Sequence, residues 1–157
     1  MRLVTILFLF TLPFLTTSCK TEGRKSFSIS IEYSSPYAYP TKYSLTQNSI
    51  VVTGTEKRSD RKIREIYKRV LTKVESDSIY RFLKSIPYDT LKEIYQNPTF
   101  FDGTDVIFKI SGQELKSKKV LVYMCSTPIT DTLKAFMQSK VLNNRYKYKN
   151  LYKDEEQ

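Results

Sequence analysis

The chain has 157 residues and a formal charge of +10, from 26 Lys and Arg against 16 Asp and Glu. It contains no histidine and no tryptophan, which removes the commonest general base and the commonest metal ligand, and with them most hydrolase triads and zinc sites. The length suits one domain with a real core, and the excess of cations favours an anionic partner over a cationic one.

The N-terminus carries one charge, Arg2, then an apolar run from Leu3 to Leu15, then Thr16, Thr17 and Ser18 before Cys19. That is the three-part layout of a secretory signal. The apolar run is shorter than the ~20 residues a spanning helix needs. The segment Leu15-Thr16-Thr17-Ser18-Cys19 resembles the lipobox of bacterial lipoproteins, with the difference that the leucine stands four places before the cysteine rather than three. The resemblance implies a signal peptide over residues 1–18, cleavage before Cys19, and a diacylglyceryl group on its thiol. It implies in turn a lipid anchor in a cell-envelope membrane, the outer membrane of a Gram-negative bacterium. Two fatty chains anchor stably where one binds only marginally. With Cys19 lipidated, Cys125 is the one cysteine left and has no partner for an internal disulfide.

Residues 19–26 then comprise the lipidated cysteine and a polar leader reaching at most about 25 Å, so the domain over residues 27–149 sits close to its membrane. Alternation of Phe27, Ile29, Ile31 and Tyr33 with polar residues predicts a half-buried strand, broken by the prolines of the stretch Ser34 to Pro40. Tyr43 to Thr46 and Ile50 to Thr53 read as a hairpin across Gln47-Asn48-Ser49. In Ile63 to Leu71, Ile63, Ile66, Tyr67, Val70 and Leu71 fit a helical stripe, whereas neither parity of a strand is cleanly apolar. The capping-box pattern Thr72-Lys73-Val74-Glu75 starts a helix at Thr72, so the stretch before it reads as a strand.

That helix is expected from Lys73 to about Ile86, with Ile79, Phe82, Leu83 and Ile86 inward and Pro87 stopping it. Asp89 to Tyr95 adds a helical turn before a loop from Gln96 to Gly103. Val106, Phe108 and Ile110 alternate, Ser111-Gly112 turns the chain, and Lys119 to Cys125 has the nearly continuous apolar character of a strand covered on both faces. Thr127-Pro128 opens a second helix with Ile129, Leu133, Phe136 and Met137 inward. Residues 150–157 form a charged tail. The expected architecture is α+β, an antiparallel sheet of about six strands with two helices packed against it. The layout resembles small lipoproteins of Gram-negative envelopes, a likeness of pattern that implies no functional residues.

Candidate chemistry is sparse. Cys125 lacks the basic neighbour that makes a thiol a nucleophile, and reads as a small buried hydrophobe. Asp102 with Asp105, or Asp89 with Glu93, have the proximity of paired carboxylates, although working glycosidase pairs face each other across a cleft, and Asp102 before Gly103 suits a turn. Cations cluster in three places, Lys57 to Lys73, then Lys116, Lys118 and Lys119, and finally the tail, where Arg145, Lys147, Lys149 and Lys153 interleave with tyrosines. Interleaving of this kind suggests stacking on nucleic acid in a cytosolic protein, a partner that export makes unexpected. Anionic lipid head groups or acidic polysaccharide offer the same charge in the envelope. The alternative is an edge strand whose lysines discourage pairing.

The expectation is therefore a non-catalytic, membrane-anchored envelope lipoprotein that binds a macromolecular or anionic partner without a cofactor or metal. An immunity protein or inhibitor facing an envelope-acting toxin or hydrolase is the second reading. An enzyme using carboxylates is the third.

Overall fold

The computed structural model describes residues 23–35, 38–55, 62–99 and 103–151. The signal segment, Cys19, Asp102 and Lys153 lie outside these residues. Among them, no helix is long and apolar enough to cross a membrane.

Alternation in β1 (Phe27–Ser35) sends Phe27, Ile29, Ile31 and Tyr33 to one face, where all four are buried. β2 (Ala38–Thr46) and β3 (Ser49–Gly54) make the expected hairpin, and Thr46 Oγ1 accepts the N–H groups of Asn48 and Ser49 at its bend. The expected break over Ser34 to Pro40 is shorter than read, because β1 runs to Ser35 and β2 begins at Ala38. Their register slips between Tyr33 and Ser35, an irregularity that accommodates Pro40, which has no N–H for a ladder. β4 (Arg64–Val70) is a strand antiparallel to β3, as the capping-box argument required.

α1 (Lys73–Ser85) starts on the predicted box: Glu75 N–H donates to Thr72 Oγ1 at 3.2 Å, and Thr72 N–H donates to the Glu75 carboxylate at 2.9 Å. α2 (Pro128–Lys140) starts on a second box, Thr127 with Thr130, with Pro128 in the first turn. β6 (Asp105–Gly112) and β7 (Leu115–Tyr123) form a hairpin, and β6 pairs antiparallel with β1.

Three expectations for this half need correction. The segment Asp89 to Tyr95 is not one helical turn. A 3₁₀ turn at Tyr88–Thr90 is followed by β5 (Ile94–Gln96), which lies parallel to β7. Three residues are too few for any periodicity to show. The hairpin bends at Gln113 and Glu114, not at Ser111-Gly112, and it is Glu114 that takes positive φ, at 59°. Gly112 is required for a different reason: a Cβ there would stand 2.6 Å from the Ser26 carbonyl oxygen and 2.9 Å from Phe27 Cα. Finally, β7 is covered on one face only, since Val120 and Val122 are buried while Leu121 and Tyr123 are half-exposed.

The result is an α+β fold with a seven-stranded mixed sheet in the order β4-β3-β2-β1-β6-β7-β5 and two helices. Every pairing except β5 with β7 is antiparallel. Both helices lie on the face that carries Phe27, Ile29 and Ile31. Tyr80 of α1 sits with its ring 6.4 Å from that of Phe27, and Phe82 of α1 stacks on Phe136 of α2 at 3.6 Å. Leu83, Leu133 and Met137 are fully buried against the sheet. At roughly 1.5–3 kcal/mol for each large side chain taken from water, these contacts dominate the stability. Among the described residues, the buried apolar side chains all fall between Phe27 and Val141. The opposite face is open to solvent and polar: Glu32 bridges Lys42 and Lys109, each at 3.0 Å.

Candidate anion-binding groove

After α2 the chain does not form the edge strand that its alternation allowed. Val141 is buried and closes the helix, and residues 143–151 run back as a strap over the end of β1 and β2 on the helix-covered face. Asn143 caps a 3₁₀ turn at Asn144–Tyr146 by accepting the Arg145 N–H, and the Asn150 side-chain amide donates to the Asn144 carbonyl.

Tyrosines hold the strap down. The Tyr43 hydroxyl donates to the Tyr146 carbonyl at 3.0 Å, and the Tyr146 ring lies 5.4 Å from that of Tyr67. Tyr148 stacks on Tyr33 at 4.0 Å with only 17° between the rings, and its N–H donates to Gln138 Oε1 at 2.8 Å. Burial, and secondarily the neighbouring Tyr148 phenol, push the Tyr33 hydroxyl above its ordinary value, so it stays protonated. Two of the tyrosines that interleave with lysine in the sequence, Tyr146 and Tyr148, thus pack on this protein's own sheet.

Between the strap, α2 and the β1–β6 end of the sheet runs a groove of about 900 Å³. Its floor is carbon, from Tyr33, Val106 and Ala135, with the Tyr148 ring as one wall. Asp131, Lys134, Ala135 and Gln138 all reach it because they stand three or four residues apart along one flank of α2. Lys147 and Lys149 line it from the strap. Lys134 is paired with Asp131 at 3.5 Å. Lys147 and Lys149 have no carboxylate partner among the described residues, so the groove carries a net positive charge.

Of the four basic residues expected to contact an anionic surface, the structure brings Lys147 and Lys149 together at this groove. Arg145 is elsewhere on the strap, with its guanidinium 5.8 Å from the Tyr146 ring and outside the groove lining. Lys153 lies outside the described residues. The groove's other contributors, Tyr33, Lys134 and Gln138, went unnoticed in the sequence. The helical spacing of Lys134 and Gln138 was visible there, but nothing local says that this flank faces a strap.

Elsewhere four carboxylates are tied to structural partners. Glu32, Glu75, Asp89 and Glu114 all sit below their ordinary values. The Lys116 ammonium, 2.8 Å away, lowers Asp89, and Glu114 is lowered by Lys25, Lys84 and the Tyr80 hydroxyl. A general acid needs the opposite shift. Asp89 and its candidate partner Glu93 are separated in role, Glu93 being exposed and Asp89 occupied by Lys116. Cys125 is a free, half-buried thiol packed against the core just past β7. Among the described residues no group of three His, Cys, Asp or Glu is placed to hold a metal. Compared with protein-family models, with curated proteins and with solved structures, the chain matches none.

Proposed function

We propose that this chain is an envelope lipoprotein, cleaved before Cys19 and held on a membrane by lipid on that cysteine, whose α+β domain is a non-catalytic binding module for an anionic partner. The observation that carries the binding half is that Lys147 and Lys149 both line one groove, neither neutralised by a carboxylate among the described residues. The anchor half rests on the lipobox-like segment at Cys19. The two halves fit each other, because a polar leader of at most about 25 Å holds a strongly cationic domain near a charged envelope surface.

Two measurements test them separately. Mass spectrometry of the N-terminal peptide from the chain expressed with its signal should show a cysteine carrying acyl groups, and an unmodified N-terminus removes the anchor. For binding, the protein is titrated with dextran sulfate at low salt. At about 1 kcal/mol for each lysine near an anionic surface, the Lys147→Gln/Lys149→Gln double variant should bind on the order of 30-fold more weakly. Equal affinity of variant and parent removes the groove from the reading.

A further inference from the structure

Resting on that reading, we infer that the groove takes a single-chain amphiphile with a phosphate head, its alkyl chain lying against Tyr33, Val106, Ala135 and Tyr148 and its head between Lys147 and Lys149. The argument turns on which polar groups in the lining remain free. Ser139 donates its hydroxyl proton to the Phe136 carbonyl at 2.6 Å. The Asn150 amide is spent on the Asn144 carbonyl, and Gln138 Oε1 on the Tyr148 N–H. Gln138 Nε2 has no acceptor but is closed to solvent, so it is not offered to a ligand. Asp131 and Lys134 occupy each other.

What the groove presents, then, is a mostly apolar lining with the Thr104 hydroxyl, and two lysines, Lys147 and Lys149, without a carboxylate partner among the described residues. A sugar polymer requires several hydrogen-bonding partners along the chain, because each buried hydroxyl left unpaired carries a desolvation cost. In this lining Ser139, Asn150 and Gln138 have already committed groups within the protein. An alkyl chain makes no such demand, and a volume of about 900 Å³ falls within the range of roughly 300–1,000 Å³ usual for small-ligand sites. Two lysines lining one groove, with no carboxylate partner among the described residues, match a phosphate monoester, which carries close to two negative charges at neutral pH.

The test uses residues 19–157 with Cys19→Ser, which retains the whole core span Phe27–Val141. Octyl, decyl and dodecyl phosphate are titrated below their micellar concentrations by calorimetry, with inorganic phosphate and dextran sulfate alongside. Full burial of two methylenes corresponds to about 15-fold tighter binding. The inference expects a gain above about threefold per two-carbon step, with a negative heat-capacity change. It expects the chain-length dependence to vanish in Ala135→Phe, a substitution at an exposed position that fills the groove and leaves the core alone. Equal affinity for all three phosphates, or an unchanged dependence in Ala135→Phe whose thermal transition matches the parent, overturns it. Dextran sulfate binding without chain-length dependence overturns this inference while sparing the anionic-partner reading. Loss of both overturns the two together.

Discussion

The Glu75 carboxylate offers the sharpest test of how the fold is held, because a single proton should undo it. Its Oε2 accepts the Thr72 N–H at 2.9 Å, and its Oε1 accepts from Arg69 Nη1 at 2.7 Å. The Thr72 amide first, and Arg69 next, hold its pKa at about 2, down from an ordinary 4.5. A shift of that size, taken at face value, corresponds to about 3 kcal/mol. The Glu75 side chain is 39% exposed, so water screens the pair and the retained contribution is about 1 kcal/mol.

The sign follows from the depressed value. The stabilisation is fully present above pH 4.5 and is lost as pH falls toward 2, where the folded state also takes up the proton. Glu75→Gln keeps an oxygen for the Thr72 amide and removes the charge facing Arg69, so it isolates the ionic part. Urea denaturation of parent and variant should show a gap of about 1 kcal/mol at neutral pH, with about half or more of it closed by pH 3. Other carboxylates lose stability over the same range in both proteins, and the comparison cancels them. A gap that stays constant from pH 7 to pH 3 refutes the reasoning.

Three further outcomes follow from the packing. Leu133→Ala removes a fully buried side chain at the centre of α2 and should lower unfolding stability by about 2–5 kcal/mol, read by thermal or urea denaturation. Thr127→Ala breaks the second capping box and should cost about 1 kcal/mol, visible as an earlier melting transition at unchanged helix content. Gly112→Ala pushes a methyl group into the Ser26 carbonyl and the Phe27 backbone, neither of which can rotate away. It should destabilise by about 1–3 kcal/mol, with amide shifts at the start of β1 in NMR spectra.

The helix starts and the alternating strands were legible because their causes are local. A threonine and an acceptor three residues on satisfy each other's exposed backbone groups wherever they occur, and this placed α1, and with it β4, correctly. Strand β5 was not legible: three residues carry no period, and Ile94–Gln96 becomes a strand only because β7 lies beside it. The exposed face of β7 was misread for a related reason, since Leu121 and Tyr123 are apolar whether or not anything covers them.

At the groove the division is sharper still. Sequence by itself determined the excess of cations, the absence of histidine, the lipobox-like Cys19 and the alternation of tyrosine with lysine near the C-terminus. Only the tertiary structure decided that Tyr146 and Tyr148 turn inward onto Tyr67 and Tyr33, that Lys147 and Lys149 meet a flank of α2, and that Arg145 does not. An alternating pattern fixes what kinds of side chain are near one another along the chain. Which surface receives them depends on contacts between residues more than a hundred positions apart, such as Tyr43 with Tyr146, and no local preference encodes those.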